Sequence, residues 1–121
     1  MATILIVDDE VNVRKLYEKE LEDQGYRVVT AASGGEALHL IAESAPDLVI
    51  LDIKLGIENG LDVLRRMKEI RPALSVILNS GYSTYRDDFS SWLADAYVVK
   101  SSDTTELTAM VREVLEVRTV S

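Results

Sequence analysis

The sequence predicts one α/β domain in which parallel strands lie between two layers of helices. Five short apolar runs recur along the 121 residues, and most are continuous rather than alternating, which is typical of strands covered on both faces. Between them lie segments whose apolar residues repeat with the period of a helix. This alternation over the whole length favours right-handed crossovers and a single sheet with helices on both faces.

Each element rests on a short pattern. The predicted strands, in order, are TILIV (3–7), YRVVTA (26–31), LVILD (48–52), SVILN (75–79) and AYVVK (96–100). The predicted helices carry apolar stripes: Val13, Leu16, Tyr17 and Leu21; Ala37, Leu38, Ile41 and Ala42; Val63, Leu64, Met67 and Ile70; Leu107, Met110, Val111, Val114 and Leu115. A further helix is predicted over 83–93, where Ser, Thr and aromatic residues dilute the pattern.

Residues with the chemistry of helix ends flank these stripes. Ser33 with Glu36, and Asp103 with Glu106, have capping-box spacing. Gly25 stands where the first helix should end. These signals predict helices that begin and end between the predicted strands.

Length and charge narrow the classes of function. The chain has room for one domain, predicted over 1–117, with a short tail over 118–121. Its formal net charge of -8 repels phosphate backbones, so we expect no direct nucleic-acid binding. The same charge favours cations such as Mg²⁺ or basic protein patches.

Cysteine is absent, which excludes disulfides and thiol chemistry and is consistent with a reducing compartment. The N-terminus lacks the pattern of a signal peptide, and no apolar run reaches membrane-spanning length. We therefore expect a cytoplasmic protein with no membrane partner.

Polar residues stand where four of the five predicted strands end. Asp8 and Asp9 follow the first strand, Asp52 closes the third, Ser80 follows the fourth and Lys100 closes the fifth. In open parallel sheets ligands bind beyond the carboxyl ends of the strands, so these side chains should share one site.

Three carboxylates at one place repel one another unless a cation neutralises them. Oxygen ligands without His or Cys suit Mg²⁺, which typically takes one or two carboxylates and keeps several waters. Asp8 and Asp9 alone would equally suit a solvated turn before a helix. Together with Asp52 and Lys100, they predict a magnesium site.

A carboxylate beside Mg²⁺ can attack a phosphoryl group and become an aspartyl phosphate. Asp52 is the best candidate nucleophile because it closes the central run LVILD. Lys100 and the Ser80 hydroxyl could stabilise the incoming phosphoryl oxygens.

These motifs together resemble the receiver domain of two-component response regulators. The resemblance covers 3–117 and rests on four segments in order: IVDDE, DLVILDIKLGIENGLDVL, LNSGYS and AYVVKSS. It implies a flavodoxin-like (βα)5 fold with five parallel strands in the order 2-1-3-4-5 and five helices. It also implies a domain that catalyses its own phosphorylation and dephosphorylation and is not a classical enzyme.

By position, the resemblance makes Asp52 the phosphoacceptor and Asp8 and Asp9 the metal-holding pair, with Asp9 the more direct ligand. The backbone carbonyl of Lys54 would be a further Mg²⁺ ligand. Ser80 and Lys100 would bind the phosphoryl group. Tyr97 stands at the aromatic switch position, where its apolar neighbours also suit a plain core residue. The implied partner is a sensor histidine kinase or a phosphotransfer protein, and a homodimer is compatible with the family.

The sequence departs from the family pattern at three places. Ser101 follows Lys100 where the family usually has a cis proline, so a trans peptide is expected. Gly56 replaces a common proline and should loosen the loop after Asp52. The stretch from Ser80 to Lys100 is short, which predicts a short or distorted fourth helix.

Rival functions fit less well. A haloacid-dehalogenase-type phosphatase needs a second Asp two residues after Asp52, where this chain has Lys54. A flavodoxin-like carrier needs a phosphate loop after the first strand, which the acids there would repel. No G-x-G-x-x-G follows a strand, and the single histidine, His39, lies on a predicted helix away from the strand ends. The remaining alternative is a receiver-like interaction module that works without phosphorylation.

Overall fold

The structure, a computed structural model, describes residues 1–81 and 93–120, with side chains up to residue 117. The elements in chain order are β1 (Thr3–Val7), α1 (Val11–Asp23), β2 (Arg27–Ala31), α2 (Gly34–Ser44), β3 (Leu48–Leu51), β4 (Lys54–Leu55), β5 (Glu58–Asn59), α3 (Gly60–Ile70), β6 (Ser75–Ser80), β7 (Ala96–Val99) and α4 (Thr105–Val120). The predicted helix over 83–93 lies outside the described residues except for Leu93.

The main sheet has five strands in the order β2-β1-β3-β6-β7, and every neighbouring pair is parallel. The order 2-1-3-4-5 expected for the five predicted strands is therefore confirmed. Each end of the five predicted strands lies within one residue of the observed strand end. From β1 the chain first adds β2 on one side and then β3, β6 and β7 on the other side. The strand order therefore reverses between β1 and β3, which opens a crevice at the carboxyl ends of these two strands.

Two apolar cores cover the two faces of this sheet, because successive residues of a strand point to opposite sides. The α1/α4 core consists of the buried residues Ile4, Ile6, Tyr17, Leu21, Leu48, Ile50, Ile77, Val98, Leu107 and Val111. The α2/α3 core consists of the buried residues Leu5, Val7, Ala31, Ala37, Ile41, Val49, Leu51, Ile53, Leu55, Leu61, Val63, Leu64, Met67, Leu74, Val76 and Leu78. This double coverage explains why the central strands read as continuous apolar runs.

The helical stripes are mostly buried as predicted, with three exceptions. Leu16, Ala42 and Ile70 are exposed. Leu16 and Ala42 each stand one position from a buried residue, which turns them about 100° away from the sheet. Ile70 is the last residue of α3 and lies at the helix end.

The predicted helix ends hold with small changes. The Ser33 hydroxyl accepts a hydrogen bond from the Glu36 amide at 3.2 Å, and the Glu36 carboxylate accepts one from the Ala32 amide. Asp103 bonds the amide and hydroxyl of Thr105 rather than Glu106, because α4 begins at Thr105. These hydrogen bonds lower the pKa of Asp103.

The small hairpin of β4 and β5 was not predicted from the sequence. Lys54–Leu55 pairs antiparallel with Glu58–Asn59, and Gly56 takes a left-handed φ of 61° in the turn, which glycine adopts without strain. The Glu58 carboxylate accepts a hydrogen bond at 2.9 Å from the amide of Gly34, the first residue of α2. The segment after β3 is therefore tied to a neighbouring helix.

Two further points concern the chain as a whole. The backbone of α4 remains helical to Val120, so residues 118–120 of the predicted tail continue that helix; the domain division itself stays a prediction. Among the described residues, no helix combines the length and the apolar character that crossing a bilayer requires.

The start of α3 passes so close to the end of β3 that only glycine fits there. A Cβ on Gly60 would lie 2.7 Å from the Ile53 Cα and closer still to the Asp52 carbonyl oxygen. We predict that Gly60→Ala lowers the free energy of unfolding by about 1–3 kcal/mol, because backbone must move to relieve the clash. Urea denaturation measures this change.

Gly35→Ala is the matched control, because a Cβ there meets nothing within 4 Å and the residue lies in α2. This variant should be neutral or more stable by about 0.5 kcal/mol. Equal stabilities for the two variants would contradict the close approach.

Candidate functional site

The polar residues predicted to meet do lie at one edge of the sheet. Asp8 and Asp9 follow β1, Asp52 follows β3, Ser80 ends β6 and Lys100 follows β7. Because these four strands are parallel, their carboxyl ends point the same way. The backbone continues the pairing past the strands, since the Asp52 amide donates to Val7 and the Lys100 amide donates to Ser80.

Three carboxylates converge at this edge. Asp8, Asp9 and Asp52 each offer an oxygen, and these oxygens lie within 4.8 Å of one another. Asp8 and Asp52 are buried, with 2% and 4% of their surface exposed, whereas Asp9 is open to solvent. The cluster therefore has a buried floor and one exposed acid at its rim.

The ammonium of Lys100 pairs with the two buried acids of this cluster. Its Nζ lies 2.8 Å from Asp8 Oδ2 and 3.0 Å from Asp52 Oδ2, and Glu10 is further away at 3.8 Å. The described residues contain no cis peptide, so the bond from Lys100 to Ser101 is trans, as predicted. A trans peptide is thus compatible with Lys100 reaching both acids.

The pKa shifts follow from burial and pairing. Burial raises the pKa of Asp52, and the charge of Asp8 adds to the rise, while the hydrogen bond from Lys100 opposes it. Burial alone would lower the pKa of Lys100, but its hydrogen bonds to Asp8 and Asp52 outweigh burial and hold that pKa above its ordinary value. One ammonium faces three carboxylates, so the cluster retains a negative charge that favours a cation.

The donor set fits Mg²⁺. All three side chains offer carboxylate oxygens, with neither imidazole nor thiolate among them, which is the ligand type that hard cations prefer. Backbone amides orient the acids: Glu10 donates to Asp8, Gly56 to Asp9 and Lys54 to Asp52. The amide of Lys54 thus lies against Asp52, and the role of its carbonyl as a ligand stays a prediction.

An open cleft of about 530 Å³ lies above the acids. It is lined by Asp9, Glu10, Asp52, Lys54, Gly56, Ser80, Gly81 and Lys100. Two of these lining residues, Gly56 and Gly81, carry no side chain that would fill the cleft. The cleft therefore offers space for a small anionic group beside the nucleophile candidate.

The two residues predicted to respond to phosphorylation lie on adjacent strands. Ser80 is buried at the end of β6, and Tyr97 is half-buried on β7, packed against the α2/α3 core. Leu78 pairs with Tyr97 and Ser80 with Val99 in the sheet. Their roles stay predictions, although their placement connects the site to the edge strand.

A buried hydrogen bond between two side chains near the site was not predicted from the sequence. The hydroxyl of Tyr17 donates to Asn79 Oδ1 at 2.7 Å, and Asn79 Nδ2 donates to the Val98 carbonyl at 3.0 Å. Tyr17 was predicted only as part of an apolar stripe. The sequence signal for this contact was Asn79, a polar amide that directly follows the apolar run SVIL and precedes Ser80.

The sequence pattern of the response regulator receiver domain matches residues 4–112. This chain belongs to that family. His39, which was predicted to lie on a helix away from the strand ends, is exposed on α2, and its Nε2 lies 3.3 Å from Glu43 Oε2.

Individual receiver-containing proteins support the assignment. The chain is 38% identical over 121 residues to the alginate biosynthesis transcriptional regulatory protein AlgB of Pseudomonas putida, matching 98% of this chain and 27% of AlgB. It therefore spans about a quarter of that relative's length. The response regulator TrrA of Thermotoga maritima, in a complex with Mg²⁺ and BeF, is 44% identical with a TM-score of 0.90, covering 94% of this chain and 99% of TrrA. TrrA bound to the histidine kinase ThkA superposes with a TM-score of 0.89, at 44% identity and with 95% and 99% of the two chains covered.

Removing the ammonium of the receiver site should expose the repulsion among its acids. We predict that Lys100→Met lowers the free energy of unfolding at pH 7 without Mg²⁺ by about 1–3 kcal/mol, because two buried carboxylates lose their partner. The loss should shrink as the solution is acidified, because the raised pKa of Asp52 favours its protonation, and a neutral Asp52 no longer needs Lys100. Urea denaturation at pH 7 and at an acidic pH measures the two losses.

In the wild type, the stabilisation that Lys100 contributes is lost at high pH rather than at low pH. The raised pKa of Lys100 keeps its stabilisation complete below the ordinary lysine value and removes it only as the pH rises through the folded value. Lys68→Met is the control, since the Lys68 side chain is about equally buried but its ammonium bonds one partly exposed carboxylate, that of Asp95, and the Leu74 carbonyl. Equal losses for Lys100→Met at both pH values would contradict the electrostatic account.

Proposed function

We propose that this receiver domain accepts a phosphoryl group on Asp52 in the presence of Mg²⁺. The observation that carries the proposal is the convergence of the Asp8, Asp9 and Asp52 carboxylates beside the ammonium of Lys100. A phosphoryl donor brings more negative charge to this place. Acceptance therefore requires positive charge at this place, which Lys100 supplies and bound Mg²⁺ would increase.

The transfer forms one bond and breaks another at phosphorus. A carboxylate oxygen of Asp52 attacks the phosphorus atom, and the bond from phosphorus to the donor atom breaks, so that the donor leaves with the bonding electron pair. The product is an acyl phosphate on Asp52. Mg²⁺, when bound by Asp8, Asp9, Asp52 and the Lys54 carbonyl, supplies charge neutralisation for the phosphoryl oxygens.

Lys100 and Ser80 complete the proposed site. In the resting structure the Lys100 ammonium binds Asp52 Oδ2, so it is within reach of a phosphoryl group attached to that carboxylate. Ser80 lines the same cleft, and in this proposal its hydroxyl donates to a second phosphoryl oxygen. Movement of Ser80 toward the phosphoryl group then displaces β6 and lets Tyr97 on the paired strand β7 follow.

The proposed donor is a sensor histidine kinase or a phosphotransfer protein. TrrA, which resembles this chain over most of its length, has been seen bound to the histidine kinase ThkA. A cytoplasmic location without direct nucleic-acid contact belongs to the same proposal, supported by the absence of cysteine and the net charge of -8. A homodimer is compatible with it.

Phosphorylation can be tested without a kinase. We predict that incubation with acetyl phosphate and Mg²⁺ adds the mass of one phosphoryl group to the chain, and that Asp52→Asn abolishes the gain because the nucleophile is lost. Intact-protein mass spectrometry measures both. Asp62→Asn is the matched control, because Asp62 is an exposed acid on α3 whose partner is Arg65, and it should label like the wild type.

A folded wild type that gains no mass in this experiment would contradict the proposal and favour an interaction module that works without phosphorylation. A gain that persists in Asp52→Asn would place the acceptor elsewhere.

The metal part of the proposal predicts a second result. Asp9→Asn should weaken Mg²⁺ binding by at least about tenfold, because an exposed ligand of the cluster loses its charge. Isothermal titration calorimetry measures the affinity. Asp23→Asn at the end of α1, whose carboxylate pairs with Lys19, is the control and should bind Mg²⁺ like the wild type. Unchanged affinity in Asp9→Asn would remove Asp9 from the metal site.

A further inference from the structure

Asn79 is a polar side chain in the middle of an apolar layer. It has 2% of its surface exposed, and it lies on the same face of β6 as Ile77 of the α1/α4 core. Burying an amide is unfavourable unless its donor and acceptor both find partners. Both do here, since Tyr17 donates to its oxygen and the Val98 carbonyl accepts from its nitrogen. The amide thus joins α1, β6 and β7 through two hydrogen bonds.

The joined points adjoin the receiver site. Asn79 immediately precedes Ser80, and Val98, its partner in the sheet, lies two residues before Lys100. The Lys100 amide in turn donates to the Ser80 carbonyl at 2.7 Å. Any shift of β7 along β6 would therefore change the Asn79 contact and the position of Lys100 together.

The helix at the other end of the contact is also tied to the site. Tyr17 lies on α1, the helix that follows the acids of β1, and the Arg14 guanidinium of the same helix donates to the Asp8 carbonyl at 2.7 Å. Burial raises the pKa of the Tyr17 phenol, and the charges of Lys100, Asp8 and Asp52 also act on it. The phenol thus lies within electrostatic reach of the three charged groups.

We propose that Tyr17 and Asn79 are positioning residues, which hold the ends of β6 and β7 so that Lys100 and Ser80 meet the phosphoryl group. This inference rests on the proposed function. It concerns groups that touch neither the phosphoryl donor nor the metal and that act through the strand ends.

Plain packing does not account for the pair. Replacing both members of a buried polar contact by apolar side chains is commonly neutral or stabilising, so stability alone gives no reason for a tyrosine and an asparagine here. A satisfied buried polar contact instead selects one arrangement of its neighbours, because any other arrangement leaves the amide unpaired. Selection of one strand register is the property that a site built from strand ends needs.

The test compares the rate of phosphorylation with the affinity for Mg²⁺. Tyr17→Phe removes the hydroxyl that holds Asn79 and should lower the rate of phosphorylation by acetyl phosphate at saturating Mg²⁺ by about tenfold, since misplaced catalytic groups cost rate steeply. Mg²⁺ affinity should stay that of the wild type, because none of the acids is changed. Tyr26→Phe is the matched control: Tyr26 packs against the same α1/α4 core, and its variant should be phosphorylated at the wild-type rate.

A double variant separates positioning from stability. Tyr17→Phe with Asn79→Leu makes both positions apolar, so the urea midpoint should recover relative to Tyr17→Phe while phosphorylation stays slow. It also decides the matter if Tyr17→Phe alone does not fold. A wild-type rate in the folded double variant, or in a folded Tyr17→Phe, would overturn the positioning role.

Measuring the wild type in parallel distinguishes a failure of the proposed function from a failure of the positioning role. Failure of the wild type to gain a phosphoryl group would overturn the proposed function itself. Labelling of the wild type and Tyr17→Phe at one common rate would overturn only the role of Tyr17 and Asn79.

Discussion

The repulsion among three neighbouring carboxylates is the constraint on which the rest of this structure depends. Two of them, Asp8 and Asp52, are almost fully buried, where the charged form of an acid is least favourable. A single ammonium bonds both, and its one positive charge offsets only one of the three negative charges. The cluster is therefore suited to binding a cation, together with an anionic group that the cation neutralises. Binding of Mg²⁺ relieves this imbalance, and a phosphoryl group, which adds negative charge, needs such a cation beside it.

The sheet makes this imbalance possible. Parallel strands bring their carboxyl ends to one edge, so residues far apart along the chain meet there without a dedicated loop. Each strand end is fixed by hydrogen bonds that continue the sheet, including those from the amides of Asp52 and Lys100. The apolar cores on both faces hold the strands, each fully buried Leu or Ile contributing about 1.5–3 kcal/mol. Packing thus opposes the electrostatic cost at the edge.

Sequence patterns predicted the strands, their covered faces and the meeting of the strand-end residues, because burial on both sides imposes continuous apolar runs and parallel order aligns the ends. The strand order itself came from the family resemblance. Contacts between distant residues could not be predicted in this way. The hydrogen bond of Tyr17 with Asn79 joins positions 62 residues apart. The hairpin after β3 is tied to α2 by the hydrogen bond that Glu58 accepts from the Gly34 amide, and the need for glycine at position 60 depends on how α3 meets β3.

A crystal structure grown with Mg²⁺ and beryllium fluoride, a mimic of the phosphoryl group, is the decisive measurement for the receiver site. We predict beryllium fluoride density whose beryllium is bonded to a carboxylate oxygen of Asp52, and an ion about 2.0–2.1 Å from carboxylate oxygens of Asp9 and Asp52 and from the Lys54 carbonyl. The Lys100 ammonium should then contact a fluoride. An ion bound away from these acids, or an Asp52 that remains unmodified with Lys100 still bonded to it, would contradict the proposed site.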